Sequence, residues 1–277
     1  MADAPIPARE GISPQRVVLR GEVPADHTYW AGRSGDAPYP FGTRLPAGAA
    51  LPRPQPAWFH PVVPPEPPIP FDHTVLTADE HLIVVDKPHF LPSTSNGRIV
   101  RETVQTRLRI AYGADDIVPL HRLDRLTSGV LVCSRRASTR GRYQRLFQER
   151  GVEKLYRARV EGTPSVGEKW EMVRLPMIKD RGARQVRVGA GGVVTDTWLR
   201  RVGDTEVEVR PITGHTHQIR VVLNHLGTPI IGDDTYPCDR GLDLYDFSTP
   251  LQLRATRIAF DDPLTGRHRV FDAGGLS

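Results

Sequence analysis

Sixteen of the 26 prolines in this 277-residue chain fall within residues 1–70, ending in the run Pro61-Val62-Val63-Pro64-Pro65-Glu66-Pro67-Pro68-Ile69-Pro70. Proline fixes φ and removes a backbone donor, so this stretch is not expected to be mostly helix or central strand. Residues 1–70 are therefore read as a Pro-rich extended N-terminal arm that lies along the main domain or is partly disordered. Trp30, Trp58 and Phe59 point to some docking of it onto the rest of the chain. Residues 71–277 are expected to hold one globular domain, since a chain of this length can bury a sizeable core.

From Phe71 onward the pattern becomes that of a globular domain. His81 to Pro88 reads as a buried strand, and Val130-Leu131-Val132 as another. Lys154–Val160 and Thr205–Pro211 alternate as strands do. Thr103–Ala111 has helical spacing at Val104, Leu108 and Ala111. Ala137–Arg150 reads as a helix with Gly151 as its stop, and Thr216 reads as the N-cap of a helix carrying Ile219, Leu223 and Leu226. Strands and helices without regular βαβ alternation define an α+β domain.

The net charge of +5 and a pI near 9.5 favour a polyanionic partner. The excess is arginine, 33 residues against four lysines, a bias that a GC-rich genome would also produce. Its placement is more telling. Residues 1–70 hold six arginines and six acids, whereas residues 98–150 hold twelve arginines and five acids. Cys133 and Cys238 form no paired motif, which excludes a disulfide scaffold or thiolate zinc site. The N-terminus lacks the apolar stretch of a signal peptide, and no run of about 18 apolar residues is present. The expected protein is a cytoplasmic monomer without membrane attachment.

Inside the arginine-rich window lies His121-Arg122-Leu123-Asp124-Arg125-Leu126-Thr127-Ser128-Gly129. Two flanking arginines favour an ionised carboxylate. Taken alone, Asp124 is most simply a turn residue in an ion pair. Farther along, Arg220 sits near a helix start, where a cation gains nothing from the helix dipole and is often held by a carboxylate.

This segment closely resembles the catalytic motif of the RluA-type pseudouridine synthases. The resemblance spans roughly residues 72–270 and takes in Val84-Val85-Asp86-Lys87-Pro88, Lys154-Leu155-Tyr156-Arg157-Ala158 and Gly214 through Asp233, in family order. It implies that residues 71–277 are a catalytic domain with a long, mainly antiparallel central sheet, flanking helices, and Asp124 and Tyr156 in a central cleft. Many relatives begin with a small helical RNA-binding domain, and the proline-rich residues 1–70 hold no intact separate copy of it. It also implies an isomerase that turns a uridine of structured RNA, 23S rRNA or tRNA, into pseudouridine without any cofactor. The reaction cuts the bond from sugar to base nitrogen, rotates the base and rejoins it through carbon 5. That requires a carboxylate, a cation to orient it, and a flat surface for the flipped base.

By resemblance Asp124 is the carboxylate, acting as nucleophile or sugar-proton base, and Arg220 is its cation. Tyr156 is the stacking ring, whose hydroxyl could also help remove the carbon-5 proton. Arg122 resembles the arginine that holds the phosphates around the flipped nucleotide, with Lys87, Arg125 and His121 as further RNA contacts. Thr127, His217 and Gln218 are expected to support the site. His215 stands where most relatives carry arginine, and Asp86 where asparagine is usual.

Two other readings compete with this one. A catalytically silent RNA-binding or ribosome-assembly protein could share the fold. A metal-dependent hydrolase could use His215, His217 and Asp233, although no metal is expected. The commonest nucleotide-loop, serine-hydrolase and zincin motifs are absent from the sequence.

Overall fold

A computed structural model describes residues 4–95 and 97–276. The chain divides into two compact units, one comprising Met1–Glu66 and Ser95–Ile117, the other Pro67–Thr94 and Val118–Ser277. The first unit therefore takes in a helix-bearing segment that the sequence assigned to the catalytic domain.

In the first unit the expected extended arm is a folded sheet. Strands β1 (Gln15–Glu22), β2 (Tyr29–Ala31), β3 (Arg44–Leu45) and β4 (Ala50–Phe59) pair antiparallel in the order β1-β4-β2-β3. Leu19, Val23, Tyr29, Leu45 and Leu51 form its own small core. The prolines are tolerated because Pro56 turns its missing donor to the edge away from β1, while Pro52 and Pro54 fall where the β1 ladder shifts register between Leu19 and Gly21. The Pro56 carbonyl on that edge accepts from Gly32 N at 2.7 Å, and β2 pairs with β4 only at Ala57 and Trp58. The other edge keeps its donors for the long ladder with β1. Helix α1 (Val104–Tyr112) follows from Thr103, whose hydroxyl caps Thr106 N at 3.1 Å, and ends at Gly113 with φ 56°. The Glu66 carboxylate closes the proline run by accepting from Val100, Arg101 and Glu102 N–H groups at 2.7–3.0 Å.

The second unit is built on an eleven-stranded sheet. Its strands are β5 (Thr74–Ala78), β6 (Leu82–Lys87), β7 (Val118–Pro119), β8 (Ser128–Ser134), β9 (Glu153–Arg159), β10 (Glu171–Ile178), β11 (Arg187–Val188), β12 (Val193–Arg201), β13 (Glu206–Pro211), β14 (Leu253–Asp261) and β15 (His268–Asp272). They run in the order β11-β10-β12-β13-β9-β14-β8-β6-β5, with β15 also on β14 and β7 also on β8. Only β8 and β14 pair in parallel; the sheet is otherwise antiparallel, as the resemblance implied. Helices α2 (Ala137–Gln148) and α3 (Gln218–His225) complete the unit. No helix among the described residues is long and apolar enough to cross a membrane.

Strand β8 is buried along its whole length, so its continuous apolar run is that of a central strand covered on both faces. Leu82, Val84, Val130, Val132, Ile258 and Phe260 form the core beneath α2, which contributes Tyr143 and part of Leu146 and Phe147. Burying each such side chain contributes about 1.5–3 kcal/mol. Two helix ends depart from the sequence reading. At the end of α2 it is Arg150, not Gly151, that turns left-handed (φ 62°), and α3 starts from His217 (φ 56°) without a side-chain cap, rather than from Thr216.

Gly129 is required where β8 meets β14. Its φ is +110°, and a Cβ there would lie 2.1 Å from the Ala255 carbonyl oxygen. The close parallel approach of β8 and β14 depends on that missing side chain, and the Asp124 loop leads directly into it.

Candidate active site

Register places the site. Ala255 of β14 pairs with Gly129 on one side and Tyr156 of β9 on the other, so the three lie in one row across the sheet. Asp124 hangs from the loop before β8. That loop is pinned by Ser93, whose Oγ donates to Leu123 O at 2.9 Å and accepts from Leu123 N at 3.1 Å, and by Thr127 N donating to Asp124 O at 3.0 Å. Asp124, Arg122, His121, Tyr156, His217 and Arg220 line one cavity of about 420 Å³. The structure thus brings together five of the seven residues expected in catalysis or RNA contact, all but Lys87 and Arg125.

The cation near the Asp124 carboxylate is not one of its sequence neighbours. Among the described residues it is Arg220, with Nη1 at 3.8 Å, and the His217 ring stands beside it with Nε2 at 3.9 Å. Arg220 itself is buried, and its closest carboxylate is Asp233, not Asp124. Its Nε donates to Asp233 Oδ2 at 2.8 Å, and its Nη2 to Asp233 Oδ1 at 2.5 Å and Asp234 Oδ1 at 2.9 Å. Asp233 is fixed in turn by Thr235 N and Tyr236 N. Burial opposes the charge on Arg220, but the hydrogen bonds and charge of Asp233 outweigh it and hold the guanidinium more firmly protonated than usual. The fork is bound on one side, which leaves Nη1 directed at Asp124.

His217 completes the pair. Its Nδ1 lies 3.2 Å from the Tyr236 hydroxyl, which accepts from Val186 N at 2.7 Å. Burial pulls the His217 pKa down to about 4, so at neutral pH it is an uncharged hydrogen-bonding group beside the carboxylate. Gln218 ties the start of α3 to the sheet: its Nε2 donates to Asp196 O and Thr197 Oγ1, and its Oε1 accepts from Thr213 Oγ1 and His215 N.

Tyr156 is buried in the cavity wall. Burial, reinforced by the Asp124 charge, raises its phenol well above the usual range and keeps it protonated. That disfavours a tyrosinate base for the carbon-5 proton and leaves the ring and a neutral hydroxyl. Arg122 is exposed on the rim and makes no ion pair or hydrogen bond among the described residues.

Three expected RNA contacts have other duties. Lys87 is fully buried and donates to the carbonyls of Pro88 (2.9 Å), Leu91 (2.8 Å) and Arg125 (3.1 Å), with its pKa pulled down to about 7 by burial. It cannot reach a phosphate; it anchors the backbone directly after Asp124. His121 stacks on Phe147 (5.2 Å between centroids), its Nε2 accepts from Val132 N at 3.1 Å, and burial drives its pKa to about 3. It is a neutral wall, not a cation. Arg125 spends its guanidinium on the carbonyls of Leu244 and Asp243 and lines a neighbouring hollow. Asp86 pairs with Arg254 at 2.6 Å, so its charge is met.

Tyr236 was missed, and so were the roles of Lys154 and Asp233, which were quoted only within motifs or, for Asp233, as a candidate metal ligand. Lys154 lines the cavity and was legible, because it sits two residues before Tyr156 and a strand returns to the same face at that spacing. No local signal marks Asp233 or Tyr236. No group of three His, Cys, Asp or Glu side chains among the described residues is arranged to hold a metal. Asp233, one of the three residues of the hydrolase reading, is the partner of Arg220.

A carboxylate, a buried guanidinium, an aromatic ring and an exposed arginine without an ion-pair partner among the described residues thus share one cavity. The family model described as RNA pseudouridylate synthase matches residues 81–225. The chain is 34% identical over 206 residues to the dual-specificity RNA pseudouridine synthase RluA of Salmonella typhi, covering 71% of this chain and 90% of that protein. It is also 34% identical over 236 residues to an uncharacterized RNA pseudouridine synthase of Synechocystis, covering 80% and 73%. Human RNA Pseudouridylate Synthase Domain Containing 1 shares the fold, with a TM-score of 0.59 at 24% identity over 73% of this chain and 83% of that one. The chain belongs to the RluA-type family of RNA pseudouridine synthases and is an isomerase acting on structured RNA.

Proposed function

We propose that Asp124 is the catalytic carboxylate, Arg220 the cation that orients it and Tyr156 the ring on which the flipped uracil stacks, in an enzyme that modifies a uridine of rRNA or tRNA. The observation that carries this reading is the placement of Arg220 Nη1 and His217 Nε2 at 3.8 and 3.9 Å from Asp124 in a cavity walled by Tyr156. The Asp124 carboxylate either attacks the anomeric carbon or takes a sugar proton. In the first route the bond to the base nitrogen breaks as the ester to Asp124 forms, and carbon 5 then displaces that ester; in the second the bond breaks by elimination and the sugar proton returns as carbon 5 adds. In both the uracil turns against Tyr156, carbon 5 gives up its proton, the base nitrogen ends protonated and the Asp124 carboxylate is restored. A neutral His217 can donate one hydrogen bond without competing with Arg220 for the carboxylate. Arg122, unpaired on the rim, suits the phosphates flanking the flipped nucleotide.

A silent binder of the same fold has little use for a carboxylate held against a buried guanidinium, because both groups lose hydration there. The enzyme is expected to work as a cytoplasmic monomer. Pseudouridine maps of rRNA and tRNA from cells with and without the protein test the reading. One or more sites should disappear with the protein and return with wild type but not with Asp124→Asn. Identical maps in all three would sink it.

A further inference from the structure

The second unit holds another cavity, of about 580 Å³, that the chemistry above does not use. Cross-strand register places it mainly on the opposite face of the sheet. Tyr156, Val209 and Leu199 lie in one row and face the Asp124 side, so their neighbours Leu155, Arg210 and Trp198 face away. These three line the second cavity together with Arg257, which pairs with Leu155. The ladder between β9 and β13 stops at Tyr156 and Val209. Beyond it, Lys154 and Pro211 wall both cavities, so the two adjoin at the open end of that ladder.

The charge here is unlike that of the surrounding sheet. Arg157 and Arg200 are both tied to Glu208, Arg159 to Glu206, and Arg174 to Asp196. Arg150, Arg210 and Arg257 are exposed around the cavity, and none forms an ion pair with a carboxylate among the described residues; Arg150 acts on Asp196 only at longer range. Glu153 is the one acid in its lining. Trp170 already carries two guanidinium groups, Arg200 at 4.7 Å and Arg210 at 4.3 Å from its ring. Trp198 is half-buried in the wall and has no ring or cation partner among the described residues.

We propose that this cavity is a second nucleotide subsite. It holds one base of the RNA strand adjacent to the target uridine on Trp198, with its phosphates between Arg257, Arg150 and Arg210. This rests on the RNA-isomerase reading. A free aromatic face offers any base a stacking surface, and unpaired guanidinium forks are suited to phosphate. The junction at Lys154 and Pro211 is what makes the occupant a continuation of the strand in the Asp124 cavity.

The test compares Arg257→Glu with Arg267→Glu, an equal charge reversal at an exposed arginine outside the cavity, and Trp198→Leu with Trp198→Phe. Affinity for a fluorescein-labelled oligouridylate and tritium release from rRNA labelled at uracil carbon 5 are measured for each full-length variant across a salt series. Trp198→Leu should weaken RNA binding about five- to hundredfold, with Trp198→Phe restoring most of it. Arg257→Glu should raise KM, leave kcat at saturating RNA within about twofold and lower the salt slope by roughly 0.7–0.9, one phosphate contact; Arg267→Glu should do none of this. Equal behaviour of the two charge reversals, with Trp198→Leu binding like wild type, overturns the subsite. Tritium release that is absent in wild type, alongside selective binding loss in the variants, keeps the subsite and refutes the catalytic reading instead.

Discussion

Replacing Asp233 with asparagine probes how Arg220 is aimed. The substitution keeps the shape but removes the charge and one acceptor from a carboxylate that takes two bonds from Arg220 and two from backbone N–H groups, all buried. Breaking a buried ion pair costs about 3–5 kcal/mol, and since asparagine retains one acceptor the lower end applies, about 3 kcal/mol. For a domain of this size that lowers Tm by roughly 6–12 °C. With the Asp233 half of its clamp weakened and Asp234 still holding Nη2, Arg220 can pivot to close the 3.8 Å gap to Asp124 and pair with it directly. A shift of about 1 Å at a reacting group costs roughly a hundredfold in rate. Tritium release from uracil-labelled RNA, measured well below the melting transition, should therefore show kcat down about a hundredfold with KM within about threefold. Wild-type kcat in a variant that has lost the expected stability would refute the argument that Asp233 sets the geometry at Asp124. An unchanged Tm would refute the energetic half.

Lys87 supplies a pH test. Its folded pKa of about 7 lies below the unfolded value of about 10.4, so between the two the unfolded chain holds a proton that the native state does not, and stability must rise with pH across that window. From pH 7 to 9 the stability of wild type relative to Lys87→Met should grow by about 2–3 kcal/mol in denaturant titrations; a constant difference would mean the amine is charged when folded. Tyr156→Leu should lower kcat/KM about five- to 150-fold through lost stacking, while Tyr156→Phe costs less than about a third of that free energy; equal losses would assign the role to the hydroxyl. Gly129→Ala should destabilise by at least about 3 kcal/mol by calorimetry, since its Cβ would meet the Ala255 carbonyl; a wild-type Tm would contradict the close approach of β8 and β14.

What the sequence carried best were features with a local physical signature. The apolar runs of β6 and β8 announce strands buried on both faces, and the alternation in β9 and β13 announces the strands that hold Tyr156. The proline-rich quarter was misread because counting prolines ignores their placement. Pro56 turns its missing donor away from β1, and Pro52 and Pro54 fall at the break in that ladder's register. The arginines beside Asp124 misled in a similar way, since neighbours in a loop diverge. Arg125 turns to loop carbonyls more than a hundred residues away, while the cation at Asp124 comes from α3. Lys87 reads as a surface base until its burial is seen, because three carbonyls converging on one amine is a tertiary fact. Asp233 was quoted within the motif, yet nothing local shows that it, rather than Asp124, takes the fork of Arg220.

The account stands or falls on Asp124. Full-length wild type and Asp124→Asn should be compared for tritium release from carbon-5-labelled RNA, together with RNA affinity and thermal stability. The side chain is partly exposed, so the variant should fold and bind RNA within about threefold of wild type while its release falls by at least about a thousandfold. Release by Asp124→Asn at a rate near wild type would contradict the central claim.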